Sequence, residues 1–351
     1  MRVAFITVGD TIRKTGGYLY NARVIFGLRG RGFEVEEIVA SGASQDEQRT
    51  AAPRLGSNFD PSRFDTIVVD ALARIAIFPY LDLWRASGPV VALVHELPSV
   101  AGGEPGRERA YEEPLLHADH LVAVSEHGRG VLMGRGVPPA HIHVVPPGFD
   151  GVPAEDAPGV ENNNPLRALC VAQWIPRKGI LTLVEAWTLH ERHDAVLELV
   201  GETSADPEYE AQVRAAIEDA PRGSVIVSGR VDDKTLGTAY ASADFFVLPS
   251  HYEGYGIVYA EALASGLPVI ACEIGPVPEL VGPEAAVLVP PDDKSVLSAA
   301  LDSMLEDPAL RRRKSLAARR RASSLPRWED TVAGFEDVLR TAEGAGRTGS
   351  M

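Results

Sequence analysis

Cysteine is nearly absent from this chain of 351 residues: there are two, Cys170 and Cys272, each inside an apolar run. A disulfide framework is thereby excluded, and buried free thiols in a reducing compartment are expected. Basic charge is also scarce. Against 49 Asp and Glu stand 34 Lys and Arg, a net charge of −15, which argues against a protein that coats nucleic acid. Nor is there a long hydrophobic run. The opening stretch Val3–Val8 is six residues, too few for a signal core, and no later stretch approaches the ~20 apolar residues of a membrane span. A cytoplasmic location is expected, with peripheral membrane contact left open. Finally, no G-x-G-x-x-G follows the first apolar run, where Gly9 and then Gly16-Gly17 stand. Ala40-Ser41 occupies the place of the acidic residue that would hold a ribose. The dinucleotide-dependent oxidoreductases lose their fingerprint on both counts.

What is present suits a folded globular protein: 45% hydrophobic and 24% charged residues, in a chain long enough for two domains. Short β-branched runs alternate with longer helical patterns. They fall at 3–8, 33–39, 66–70, 90–94, 120–124 and 142–146, then at 167–172, 195–200, 224–227, 244–248, 268–271 and 285–288. Most are close to continuously apolar, as parallel strands buried on both faces should be. The fold class expected is α/β, with two Rossmann-like, doubly wound domains. The interval rich in Pro, Gly, Asn and acidic residues divides them, giving domains at 1–150 and 165–325 with a linker at 151–164.

Three further segments stand out. Ser41 to Arg63 is longer than an ordinary strand-to-helix connection and reads as an irregular loop, either mobile or functional. Trp328 to Ala342 places Val332, Phe335, Val338 and Leu339 at helical spacing and needs a surface to bury against. Ahead of it, Arg311-Arg312-Arg313-Lys314 and Arg319-Arg320-Arg321 read as a solvated helix face in preference to an anion-docking surface. Among the histidines, His117, His120 and His127 lie close in sequence, and His141 and His143 would share one strand face by alternation. No cysteine joins them, so a zinc site is not expected.

The segment Pro249-Ser250-His251-Tyr252-Glu253-Gly254-Tyr255-Gly256-Ile257 carries the most chemistry. It follows the apolar run ending at Leu248 and so sits at a strand's carboxyl end, where open α/β sheets bind ligands. Gly254 and Gly256 allow close backbone approach, and a helix opening near Gly256 would aim its free N–H groups at an anion such as a diphosphate. Glu253 precedes that helix and Glu261 lies eight residues on, so two carboxylates flank the anion-binding turn. The plainer reading makes both ordinary helix-start residues. A second strand end, Gln173-Trp174-Ile175-Pro176-Arg177-Lys178-Gly179, sets a lysine beside a glycine at a helix start. A cation there opposes the helix dipole, which favours a ligand role over a solvated one. In the first half, Gly16-Gly17 opens a helix and His95-Glu96 follows the strand ending at Val94.

Taken in order, the Gly-Gly turn, strand-end His, Lys-Gly turn and Glu-x7-Glu pattern resembles the retaining glycosyltransferases of family 4, of the two-domain GT-B fold. The resemblance runs over nearly the whole chain and includes Ala123-Val124-Ser125 and Val145-Pro146-Pro147-Gly148. It implies two domains facing a cleft, the first on the acceptor side and the second binding a nucleotide sugar. The C-terminal helix, about 326–343, would cross back onto the first domain. Glu253 would hold the transferred sugar and Glu261 the ribose. Backbone around Gly254, Tyr255, Gly256 and Ile257, with Gly16 and Gly17, would meet the donor. Lys178 would neutralise the leaving phosphate, His95 would lie near the sugar's C6 side, and Val231 would meet the base. The family often carries an arginine five residues before the lysine; here Gln173 stands there, with Arg177 as a substitute. The partners implied are a UDP- or GDP-sugar and an acceptor with a free hydroxyl, whether small molecule, glycan or lipid-linked. No cofactor is implied, and no Asp-x-Asp is present to hold a cation. An epimerase or hydrolase of the same fold, and an inactive sugar-nucleotide-binding partner protein, remain as alternatives.

Overall fold

The structure, a computed structural model, describes residues 1–9, 16–40, 44–150, 165–189 and 194–348. The expected linker, 151–164, lies outside these residues. The chain divides into two compact units, Met1–Gly148 with Pro326–Met351, and Phe149–Leu325. In the first, six strands form one parallel sheet: β1 (Arg2–Val8), β2 (Glu34–Ala40), β3 (Thr66–Asp70), β4 (Val90–Val94), β5 (His120–Ala123) and β6 (Ile142–Val144). The second holds β7 (Leu166–Val171), β8 (Ala195–Val200), β9 (Val225–Gly229), β10 (Phe245–Leu248), β11 (Val269–Cys272) and β12 (Ala286–Val289), again parallel. Each lies within two residues of its expected position. Continuous apolar runs gave the signal because both faces are covered: every residue of β3, β4, β10 and β11 is buried.

Strand order decides where a ligand can sit. The first sheet runs β2-β1-β3-β4-β5-β6 and the second β12-β11-β10-β7-β8-β9. In each, successive connections reverse direction once, between β1 and β3 and between β7 and β10. At such a switch the flanking connections go to opposite faces and leave a crevice at the carboxyl ends of the two strands.

The tail belongs to the first unit. The helix Trp328–Thr348 buries Trp328, Val332, Phe335, Val338, Leu339 and Ala342, and the Phe335 ring lies 6.5 Å from that of Phe5 on β1. It crosses the helix Gly16–Gly30 so closely that a Cβ on Gly27 would fall 2.3 Å from a Val332 methyl. Where the chain leaves and returns, a Cβ on Gly148 would meet the Arg327 carbonyl carbon at 2.2 Å. Thr331 ties the same place by donating to the Pro146 carbonyl at 2.8 Å.

Three sequence readings require correction. The 41–63 segment is not an irregular loop: it contains the helix Gln45–Asn58 and a short 3-10 turn, Pro61–Arg63. Ser44 and Glu47 form a reciprocal capping box at its start, a signal that Ser44-Gln45-Asp46-Glu47 carries in plain view. The basic run is a solvated face only in part: Arg312, Arg313 and Arg320 are exposed, but the others are tied down. Arg311 is buried and donates to the Met304 and Leu305 carbonyls at the end of the helix Lys294–Glu306. Arg321 donates to the carbonyls of Glu279 and Leu280, and Lys314 to those of Pro283 and Ala286. These side chains cap helix and loop ends that would otherwise leave carbonyls unpaired. Third, His141 belongs to a 3-10 turn, Pro139–His141, and not to the strand that carries His143.

Both cysteines are free and buried, and burial pushes each thiol up to about 12. Among the described residues no helix is long and apolar enough to cross a membrane.

Phe335→Ala should cost the first unit about 3–5 kcal/mol, since a fully buried aromatic leaves a cavity. Urea unfolding followed by a probe in that unit measures it, and an unchanged midpoint would show the tail helix to be no part of its core.

Candidate functional site

Lys178 ends the turn after β7 and Glu253 lies in the loop after β10, so the two face each other across the second sheet's switch point. Gly179 makes the approach possible. It adopts φ +65°, and a Cβ there would sit 2.2 Å from the Pro249 carbonyl oxygen. His251 N–H donates to the Arg177 carbonyl at 2.8 Å, zipping the two loops together. The Lys178 Nζ then lies 2.6 Å from Glu253 Oε1, which also accepts from the Ser250 hydroxyl at 2.6 Å. Glu253 is only 5% exposed, so its charge depends on those two donors. The lysine and glutamate that the resemblance assigns to phosphate and sugar are thus each other's partners.

The local helices support an anion site. Among the described helices of eight or more residues in this unit, four begin with an aspartate whose side chain accepts from the first turn: Asp206, Asp232, Asp293 and Asp307. The two without a side-chain cap are Ile180–Thr188 and Ile257–Ala264, opened by Gly179 and Gly256. Both glycines are left-handed, Gly256 at φ +99°, where a Cβ would approach the Tyr259 ring to 2.6 Å. In the first of these the Leu181 amide donates to the Tyr209 hydroxyl at 2.9 Å, so the helix opened by Gly256 is the one whose start suits an external acceptor. Ile257 opens the second helix, with Gly254 and Tyr255 just ahead; burial pushes the Tyr255 phenol up to about 12.

Glu261 sits on the second turn of Ile257–Ala264 and accepts from the Tyr240 hydroxyl at 2.8 Å. Burial raises its pKa most, the Tyr240 bond opposes this, and Asp233 raises it further. Val231 lies between β9 and the helix Asp233–Ser242 that brings Tyr240, packing its side chain on the core. Gln173 does not stand free: its amide donates to Glu202 at 2.8 Å, a partner the sequence reading missed. Arg177 reaches the Tyr252 carbonyl at 3.4 Å and so braces the same loop.

In the first unit, Gly16 and Gly17 form the first turn of their helix, and a Cβ on Gly17 would lie 3.4 Å from the His95 ring. Thr15 ahead of them lies outside the described residues. His95 Nε2 lies 3.0 Å from Asn21 Oδ1, while Asn21 Nδ2 reaches the buried Asp70 at 2.5 Å. Asp70 also accepts from Thr7 and the Leu72 amide, each at 2.9 Å. These residues gather at the switch between β1 and β3. Asn21 and Asp70 were missed because an Asp ending the run Thr66–Asp70 looks like any strand terminus. Burial lowers the His95 pKa, against the pull of Asp70 and Glu96, and favours the neutral ring.

His120 and His143 are 3.0 Å apart through Nδ1 and Nε2, with His141 nearby. Among the described residues no three His, Cys, Asp or Glu side chains are arranged to hold a metal ion.

Two family models match in succession: "Glycosyltransferase Family 4" over residues 47–151 and "Glycosyl transferases group 1" over residues 152–321. An MMP alpha-(1->4)-mannosyltransferase of Mycolicibacterium hassiacum is 33% identical over 228 residues, 62% of this chain and 54% of that protein. A GDP-mannose-dependent monoacylated alpha-(1-6)-phosphatidylinositol monomannoside mannosyltransferase of Corynebacterium glutamicum is 33% identical over 192 residues, 52% and 49% of the two chains. The chain therefore spans about half the length of these curated relatives. A sucrose-phosphate synthase from Thermosynechococcus elongatus shares the fold, with a TM-score of 0.80 at 23% identity over 98% of this chain and 99% of that one.

The Glu261 environment sets a pH-dependent stability. A carboxyl whose folded pKa is raised stabilises the fold fully below its ordinary value of 4.5, and that contribution is lost as pH rises through the folded value. Glu261→Gln, neutral throughout, should melt at a higher temperature than wild type at about pH 7–8 and at nearly the same temperature at about pH 4. A less stable Gln variant at neutral pH would mean that the carboxylate's partners outweigh its burial.

Proposed function

Because the chain belongs to glycosyltransferase family 4, the group 1 glycosyltransferases, we propose that it moves a sugar from a nucleotide diphosphate to an acceptor hydroxyl. Configuration at the anomeric carbon is retained, and no metal ion is required. The observation that carries this reading is the pairing of Lys178 with Glu253 across the switch between β7 and β10, beside a helix start opened by Gly256. The cation and the uncapped N–H groups suit a diphosphate, and the carboxylate suits sugar hydroxyls.

The donor diphosphate draws Lys178 from Glu253, which frees the carboxylate for the sugar. Glu261 takes the ribose hydroxyls in the same way. The bond between the anomeric carbon and the diphosphate oxygen breaks, with negative charge collecting on the leaving phosphate, where Lys178 and the helix N-terminus stabilise it. The acceptor oxygen bonds to the same face, and its proton passes to the leaving phosphate. Gln173, tied to Glu202, adds no positive charge, so Lys178 carries the cationic role. The donor class is a UDP- or GDP-hexose. The mannosyltransferase relatives make GDP-mannose the first donor to assay.

Lys178→Ala should lower turnover by roughly ten- to hundredfold, as loss of a charge-assisted hydrogen bond does. It should also lower the melting temperature, because Glu253 keeps a buried charge without its cation. The double variant Lys178→Ala/Glu253→Ala should regain stability but not turnover. By contrast, Glu253→Gln should tighten binding of free GDP or UDP, because the lysine no longer has a competing anion, while turnover of the intact donor falls. Calorimetric titration beside steady-state kinetics reads both effects. Near-normal turnover in Lys178→Ala, or weaker nucleotide binding in Glu253→Gln, would refute these roles.

Activity should persist in excess EDTA, and the product should keep the donor's anomeric configuration by proton NMR. Activity lost on chelation and restored by Mg²⁺ or Mn²⁺ would overturn metal independence.

A further inference from the structure

We infer that Asn21 and Asp70 are positioning residues that lock His95 as the neutral Nε2–H ring, leaving Nδ1 as a hydrogen-bond acceptor for a ligand hydroxyl. The inference rests on the reading of His95 as a site residue of the proposed transferase. The order of donors along the network follows from Asp70. A carboxylate oxygen receives hydrogen bonds, so the Asn21 amide must turn its NH2 group to Asp70 Oδ2, 2.5 Å away. Asn21 Oδ1 then faces His95 Nε2 at 3.0 Å, and an acceptor there requires the ring nitrogen to carry the proton. The neutral ring has one N–H, so Nδ1 is left with a lone pair.

The surroundings hold this arrangement in place. Asp70 is fully buried and cannot turn away, since Thr7 Oγ1 and the Leu72 amide donate to it at 2.9 Å each. The ring is confined by the edge of Tyr20, with centroids 5.2 Å apart, and by the bare backbone of Gly17. Tyr20 itself is anchored by its hydroxyl to the Val145 carbonyl at 2.9 Å. Among the described residues, none hydrogen-bonds His95 Nδ1. Thr7, Asp70 and His95 lie at the carboxyl ends of β1, β3 and β4, and Asn21 on the helix after β1, which is where this sheet can receive a ligand. A fixed acceptor at that place would orient a hydroxyl by accepting its proton side, and orientation of this kind affects turnover more than ground-state affinity.

Asp70→Asn tests the lock with almost no change in shape. Its new NH2 group would face Asn21, the Asn21 amide would reverse, and His95 Nε2 would become the acceptor, moving the proton to Nδ1. Long-range 15N–1H NMR of protein labelled at histidine, with His95→Gln to assign the signal, distinguishes the two rings. The expected result is Nε2–H in wild type and Nδ1–H in Asp70→Asn, with turnover of GDP-mannose or UDP-glucose, whichever wild type accepts, falling roughly tenfold at nearly constant donor KM. An Nδ1–H ring in wild type would overturn the lock, and that measurement needs no variant to fold. An Nε2–H ring surviving in folded Asp70→Asn would overturn it as well. A ring that switches with turnover unchanged would uphold the lock and remove His95 from the transfer step, so the two readings fail separately.

Discussion

Lys178 reaches Glu253 because the turn after β7 lies against the end of β10, and that approach tolerates no side chain at position 179. The glycine contributes in two ways: its left-handed backbone turns the chain into the helix Ile180–Thr188, and its missing Cβ lets the Pro249 carbonyl come within van der Waals range. Everything else at this site follows from that contact. The Arg177 carbonyl receives His251, the Arg177 side chain steadies Tyr252, and Glu253 is held between a hydroxyl and an ammonium group. Sheet order supplies the rest, since β7 and β10 are neighbours whose onward connections diverge.

The two units apply the same rule with different chemistry. Each gathers its buried polar groups where strand order reverses. In the second, the group is an ion pair beside helix starts without side-chain caps. In the first, it is a histidine tied through an amide to a buried aspartate. Both arrangements carry an electrostatic cost: Glu261 in a setting that raises its pKa, a helix start at Gly256 without a side-chain cap, and a buried Asp70 needing three donors. Caps of aspartate on the other long helices of the second unit show that the chain uses the cheaper solution elsewhere.

Strands were legible because covered parallel sheets leave continuous apolar runs such as Phe245–Leu248 and Val90–Val94. The tail helix was legible for a similar reason: Phe335 and Leu339 repeat at helical spacing. The helix Gln45–Asn58 was hidden because it buries only Gln48 and Ala52 and contains Pro53, so neither periodicity nor propensity announced it. At the site, Lys178 and Glu253 were recognisable as strand-end residues, but nothing in their 75-residue separation says that they touch. The same holds for Asn21 and Asp70, 49 residues apart, and for Gln173 and Glu202. Strand ends can be read locally, whereas pairing between them is a property of sheet order.

The basic residues make this limit concrete. In sequence, the run Arg311–Lys314 reads as a solvated face and Lys178 as a cation suited to a ligand. The structure separates the two through the nature of each partner. Arg311, Lys314 and Arg321 donate to backbone carbonyls at helix and loop ends, and those acceptors cannot leave without unravelling the chain. Lys178 instead meets a side-chain carboxylate at a strand end, and an arriving phosphate can replace that partner without breaking secondary structure. Arg74 with Glu108, and Arg135 with Glu112, also pair with carboxylates, both on the helix Pro105–Leu116, which opens on a proline. A cation becomes a candidate for ligand binding when its partner is exchangeable and when neighbouring backbone donors are left for the same anion. Among these basic residues, Lys178 meets both conditions.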